Sequence, residues 1–234
     1  MRELTAHKKE TVVLKLSGSL FFSNDFERIV TILKNILRKK KELSLVVVTG
    51  GGKIARDYIA VANKLGADRA SLDEIGIQIS RLNALVLILA LGSLVHTSVP
   101  TTLGEIVEAL EMPRNRVVVV GGLHPGQSTN AVAALIAEKV RAKIFVNATD
   151  IDGVFTKDPR RFKDAKLLHT VTANRLAVIL ADESMHPGGY DLMDPIALKL
   201  VTRSHIATRV LKCDPEVLQG FFMRHQKHGT EIVT

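Results

Sequence analysis

A chain of 234 residues, 46% hydrophobic and 24% charged, carries enough apolar surface for one large α/β domain or two closely joined lobes, which excludes a disordered chain. Its formal charge of +8 suits anionic partners, but aromatics at 4% are too sparse for a surface that stacks single-stranded nucleic acid, so no nucleic-acid partner is expected. A single cysteine, Cys213, excludes an internal disulfide and a cysteine-based metal cluster.

The opening "MRELTAHKKE" has no apolar signal-peptide core, so a cytoplasmic protein is expected. "TVVLKL" (11–16) and "LSLVVVT" (43–49) are β-branched runs without alternation, as in strands buried on both faces. Between them a helix places Phe26, Ile29, Val30, Leu33 and Leu37 on one stripe, with Asn24 and Glu27 as its capping pair. It closes on "RKKKE" (38–42), read as a solvated end whose cations complement the macrodipole.

A second helix, from about Lys53 to Gly66, presents Ile54, Tyr58, Val61 and Leu65 as its apolar face. A third opens with a Ser71–Glu74 capping box and runs to Gly92. Its apolar run "ALVLILALG" falls short of the roughly 20 residues of a membrane span, so no membrane partner is expected. Further buried strands follow at 116–120, 143–147 and 207–211, the last leading to Cys213 as an inert half-buried thiol. Strand alternating with helix means a mostly parallel sheet covered on both faces. The stretches 149–166 and 185–195, dense in Gly, Pro and Asp, read as long loops at the strand ends where ligands of such sheets gather.

Three glycine loops follow buried strands directly: "LKLSGSL", "VVVTGGGKIAR" and "VVGGLHPGQST". Glycine lets N–H groups converge on an anion, and a helix beginning straight afterwards adds its positive end. From Gly121 the third loop follows G-x-x-x-x-G-K-[ST], except that Gln127 replaces the lysine. The dinucleotide fingerprint is absent from all three. The missing cation is expected at Lys15, inside a buried strand just before the first loop, where desolvation calls for a compensating anion. Lys53, in the first turn of a helix, is a second candidate. Arg56, one turn on, could clamp a phosphate with its forked guanidinium.

Taken in order, "LKLSGS", "TGGGKIAR", "LDEIGIQISRLNA", "GGLHPGQSTNAVAAL", "TDIDGVFTKDPR" and "YDLMDPIALK" resemble the archaeal type of uridylate kinase, a branch of the amino-acid-kinase superfamily, from about residue 11 onward. The resemblance implies a three-layer α/β/α sandwich around one continuous, mainly parallel sheet. Residues 1–145 would form an N-terminal lobe for UMP and residues 146–234 a C-terminal lobe for MgATP. It further implies γ-phosphoryl transfer from MgATP to UMP, giving UDP and ADP on the way to UTP and CTP, and a hexamer built as a trimer of dimers.

Carried over by motif, Gly18, Ser19, Gly52, Arg56, Thr149, Phe155 and Asp158 would line the ATP site. Gly51, Asp73 and the segment Leu123, His124, Pro125, Gly126, Gln127, Ser128 and Thr129 would hold UMP. Lys15, Lys53 and Arg56 would be the catalytic cations, with magnesium held mainly by ATP oxygens and no protein metal site. Phe155 stands where tyrosine is common. Asn130 stands where many relatives carry an aspartate that orients catalytic lysines, a task left to Asp194 or another carboxylate.

Loop N–H groups at 17–19 and 50–52 are expected to align the two phosphate chains. His124 reads either as a substrate contact or as a structural hydrogen bond. Asp150 and Asp152 read as turn residues rather than metal ligands, and His225 and His228 as a solvated pair on one helical face. Two other readings stay open: a kinase of this superfamily with an isoprenoid phosphate or carboxylate acceptor, and a non-catalytic nucleotide sensor.

Overall fold

A computed structural model describes residues 10–112, 116–183 and 192–234. Its strands are β1 (Glu10–Leu16), β2 (Leu43–Thr49), β3 (Val117–Val120), β4 (Ile144–Thr149), β5 (Thr170–Thr172), β6 (Thr208–Lys212) and β7 (Thr230–Val233). They form one sheet in the order β3-β2-β1-β4-β6-β7-β5, parallel except for the β6–β7 pair. Position 145/146 falls inside β4, so the two halves of the chain share this sheet.

Successive strand residues point to opposite faces, and here both faces are covered. On one side Leu14, Leu16, Leu45 and Val47 pack under α1 (Phe26–Lys39), α3 (Arg69–Leu91) and α8 (Pro215–Arg224). On the other, Val13, Val46, Val118 and Phe145 pack under α4 (Leu103–Glu111), α5 (Thr129–Lys139) and α7 (Pro195–Arg203). That double burial explains the unalternating valine and leucine runs; each fully buried large aliphatic contributes about 1.5–3 kcal/mol.

Several local expectations are corrected. The third helix is capped by Asp68, whose carboxylate accepts from the Ser71 N–H at 3.0 Å and the Ser71 hydroxyl at 2.6 Å, so the cap of α3 lies three residues before the expected one. The N-cap of α1 is Asp25, with no side-chain cap bond.

In α2 (Gly52–Lys64) the face read as core is outward: Tyr58, Val61 and Leu65 are exposed, while Ala55 is buried. Taken on to Leu94, α3 is long and apolar enough to cross a bilayer by length and composition, contrary to the reading of its apolar run. Its C-terminal part is nonetheless bound to the sheet core through Ala84, Leu87, Ile88 and Leu91.

Sequence reading also passed over α4, α6 (Ala173–Glu183), α7, α8, β5 and β7. Two of these carry plain start signals: Asp194–Pro195 and Asp214–Pro215 place a capping carboxylate before a proline in the first turn. β5 and α6 occupy ground between the two stretches read as loops. Residues 185–191 of the second stretch lie outside the described residues.

Candidate active site

The carboxyl ends of β1, β2 and β4 meet at one place. The Ser17 N–H donates to the Ala148 carbonyl at 3.0 Å, and the Gly50 N–H to the Leu16 carbonyl at 3.1 Å. These two N–H groups therefore hold the loops to the sheet and are not available to a phosphate, a correction to the expected cradle. Among the described residues the N–H groups of Gly18, Ser19, Gly51 and Gly52 make no such bond. Gly52 opens α2, so a helix N-terminus with its free amides faces the same spot. Gly52 has φ +67°, and a Cβ there would lie 2.5 Å from the Gly18 carbonyl, so only glycine fits.

The third loop is joined to the second through the middle of α3. The Gly122 N–H donates to Ser80 Oγ at 2.7 Å, and Thr49 Oγ1 donates to the Ser80 carbonyl at 2.8 Å. Asn83 Nδ2 reaches the Gly50 carbonyl at 2.8 Å. Arg81 donates to the carbonyls of Gly122 and Leu123 at 3.0 and 3.2 Å. These three residues escaped sequence reading, although "SRLN" is a polar interruption of an otherwise apolar helix. A Cβ on Gly121 would stand 2.5 Å from the Arg81 nitrogen, which fixes how closely loop and helix pack.

Within that loop Leu123 is buried, His124, Pro125, Gly126 and Ser128 are exposed, and Gln127 and Thr129 are half-buried. Asp73 accepts from the Gly126 N–H at 2.7 Å, so it braces the loop. The Ser128 hydroxyl caps α5 by accepting from Asn130 and Ala131 N–H, both at 3.1 Å, and itself donates to Asp194. Asp194 in turn caps α7, accepting from Ile196 and Ala197 N–H at 3.0 Å. One hydrogen bond thus couples two helix starts, and Asp194 faces Ser128.

Lys15 is half-buried in β1 and pairs in register with Asn147 of β4. Both belong to the sheet face covered by α5, since Val13 and Phe145, two residues earlier on each strand, lie in that core. Asn147 is fully buried and donates to the Leu192 carbonyl at 2.7 Å; Asn130 donates to the same carbonyl at 3.2 Å. Among the described residues the Oδ1 atoms of both asparagines, and Gln127 Oε1, are buried without a hydrogen-bond donor. Three such acceptors around one site each cost about 1–3 kcal/mol unless a donor reaches them.

Asp150 does more than turn the chain. It accepts from Ser19 Oγ at 2.6 Å, and Ser17 and Ser19 hydroxyls are 2.9 Å apart. Burial pushes the Asp150 carboxyl up, but the Ser19 and Ser17 hydroxyls and the charges of Lys15 and Arg56 outweigh it and hold it below its ordinary range. Asp152, by contrast, stays exposed and lies 3.7 Å from Lys212.

Lys53 does not join this group. It starts α2, but its side chain is 77% exposed and its ammonium bonds Asp57 at 2.6 Å, an i,i+4 pair on the solvent side.

Thr149 ends β4, where its carbonyl accepts from the Cys213 N–H at 2.7 Å. Asp158 is buried and accepts from the Arg160 backbone and guanidinium at 2.9–3.0 Å, so its carboxylate shapes the turn. Phe155 packs partly buried against the core beneath α5. Cys213 is half-buried as expected, and burial pushes its thiol up to about 12, which disfavours the thiolate. His225 is the left-handed C-cap of α8 and His228 bonds Gln226 beyond it, so the two do not share a helical face.

Residues 10–212 match the amino acid kinase family. A uridylate kinase of Sulfurisphaera tokodaii is 42% identical over 204 residues, 86% of this chain and 88% of that one. A uridylate kinase of Methanococcoides burtonii is 41% identical over 210 residues, 88% of each chain. Among solved structures, the uridylate kinase from Archaeoglobus fulgidus superposes with a TM-score of 0.82 at 36% identity, covering 95% of this chain and 99% of that one. The chain belongs to the amino acid kinase family, and its single mainly parallel sheet between helical layers is the α/β/α sandwich expected of it.

Proposed function

We propose that this chain is a UMP kinase, transferring the γ-phosphoryl group of MgATP to UMP to give UDP and ADP for pyrimidine nucleotide synthesis. The observation that carries the reading is the meeting of glycine loops from neighbouring parallel strand ends beside a half-buried lysine, Lys15. The relatives named uridylate kinase support the acceptor.

In this reading residues 1–145 hold UMP and residues 146–234 hold MgATP. The free amides of Gly18, Ser19, Gly51 and Gly52, with the start of α2, bring the two phosphate chains into line. Lys15 neutralises the oxygens of the moving group, and Arg56 clamps from the first turns of α2. Phosphoryl transfer needs alignment and charge cancellation more than covalent help, and UMP phosphate is a dianion near neutral pH, so no general base is required. Thr149 and Phe155 line the donor side. Leu123 to Thr129, braced by Asp73, hold the acceptor.

Bound magnesium screens the charge between phosphates. In this reading ATP oxygens and water would be its main ligands. Of this chain's own side chains, Asp150, the carboxylate tied to the first loop, fits a contact through that water.

A homohexamer built from dimers suits the exposed apolar residues of α2 and α3, a face that a second copy would cover. The free, inert Cys213 agrees with a cytoplasmic setting. The test is ADP release with MgATP and UMP, CMP, AMP, isopentenyl phosphate or acetylglutamate as acceptor. Turnover with UMP supports the proposal; turnover confined to another acceptor, or ATP binding without turnover on any, overturns it.

A further inference from the structure

The same strands that end at the phosphate loops begin at a second, unrelated cleft. It has a volume of about 540 Å³ and lies where β1, β2 and β4 start, between the end of α1 and the end of α8. Val12, Leu43 and Phe222 make a buried apolar wall, with Phe221 half-buried beside them. Six of its lining residues are lysine or arginine and two are glutamate.

Only part of that charge is balanced. Lys143 pairs with Glu10, and Arg209 pairs with Glu231 at 2.7 Å and donates to the His228 carbonyl at 3.1 Å. Lys39, Lys40, Lys41 and Lys227 have no ion pair among the described residues.

The bland explanation for the lysine run is helix capping, and the structure gives that task to another residue. Arg116 donates to the Leu37 carbonyl at 2.8 Å, the Lys40 carbonyl at 3.1 Å and the Lys41 carbonyl at 3.0 Å. One carbonyl in the last turn of α1 and two just beyond it are therefore held by a guanidinium from the edge of β3. The lysine side chains remain as like charges around a concave, partly apolar space, an arrangement that costs free energy when empty and favours a multiply charged anion.

We propose that this cleft is a second ligand site, separate from the phosphoryl-transfer site, and that it takes a nucleoside polyphosphate. Several spaced cations match a phosphate chain better than a single carboxylate does. The volume lies in the usual range for small-molecule sites, and the phenylalanine wall gives a planar base an apolar surface. The proposal needs neither lobe assignment nor activity.

Hydrogen–deuterium exchange of the full chain tests it, with CTP and inorganic tripolyphosphate as probes. CTP is expected to slow exchange in segments 37–43 and 221–228, and Lys40→Glu/Lys41→Glu to weaken that effect about tenfold or more, because reversal puts like charges against the phosphates. The variant's melting temperature checks that it folds. Tripolyphosphate is expected to bind in the same place but more weakly. No slowing with either probe, or slowing indifferent to the charge reversal, overturns the site. Equal binding of the two overturns the nucleoside part, and stronger protection by a short single-stranded RNA overturns the small-molecule reading. Protection of segments 50–56 and 123–129 by UMP and MgADP reports on the opposite end of the sheet, so either site can fail alone.

Discussion

Gly18 and Gly52 face each other so closely that a Cβ on Gly18 would lie 2.2 Å from the Gly52 amide nitrogen. The obstructing atoms are backbone, anchored by a sheet-to-loop bond on each side, so they cannot move aside cheaply. Gly18→Ala should force the first two loops apart, lowering stability by about 1–3 kcal/mol and the melting temperature by several degrees. Because the displaced amides are those assigned to the phosphates, ADP release should fall further than the loss of folded protein accounts for. Unchanged melting and turnover together would show that the loops tolerate separation.

Lys15→Ala removes one charge from the end of a strand whose packing rests on Val13, Leu14 and Leu16. The variant should fold and melt close to the parent, yet lose phosphoryl transfer by about 10²-fold or more, the scale of one electrostatic contact to the transition state. The loss should fall on kcat rather than on UMP affinity, since the amine is assigned to the moving group. Turnover like that of the parent would remove Lys15 from the mechanism.

The Ser19–Asp150 link makes a pH-dependent prediction. The folded carboxyl titrates below its unfolded value, so its contribution is complete above that unfolded value, near pH 4, and is lost as pH falls through the lower folded value. Asp150→Asn should therefore cost stability at neutral pH, and the gap between variant and parent should close as the pH falls from neutral through the lowered folded value of the carboxyl. Urea midpoints measured across this range decide it. A gap of constant size would mean that the carboxylate charge is not what holds the first loop to β4.

Arg81 holds the carbonyls of Gly122 and Leu123 from α3, the helix that also braces the acceptor loop through Asp73 and Ser80. Arg81→Ala should loosen the segment from Leu123 to Thr129 and raise KM for UMP about tenfold while leaving KM for ATP nearly unchanged, a loss of one or two charged hydrogen bonds. Equal effects on both substrates would mean that the arginine supports the fold as a whole.

The strands were legible because double burial leaves an unmistakable run of β-branched residues, and the glycine loops because each follows such a run directly. What stayed hidden was pairing across the fold. Asp150 with Gly153 looks like a turn until Ser19, from another strand end, is seen to donate to it. Ser80, Arg81 and Asn83 look like surface residues of a helix until its middle is found against two loops. Lys53 had the right position along the chain, but a carboxylate four residues on offered its ammonium a nearer partner. Asn147 gave no signal, since a polar residue in a strand says nothing of what lies across the sheet.

The amphipathic pattern of α2 was read correctly as a stripe and wrongly as facing inward, and that error carries information. Tyr58, Val61 and Leu65 recur at helical spacing on α2, and Leu82, Leu85, Val86 and Leu89 do so on α3, which packs beside it; Leu65 is 83% and Leu89 73% exposed. Scattered apolar residues need no explanation, but exposed stripes at helical spacing are of the kind that association covers. A bilayer is a poor occupant, because the other side of α3 supplies Ser80, Arg81 and Asn83 to the loops. A second copy placing the same stripes against these would bury both without a new surface. If the proposed homo-oligomer uses this face, Leu89→Glu should reduce the sedimenting mass while preserving circular dichroism, and a parent that sediments as a monomer overturns the assembly. If the variant sediments as the parent does, the assembly uses another face; if the parent partitions onto lipid vesicles and the variant does not, the stripe meets lipid instead.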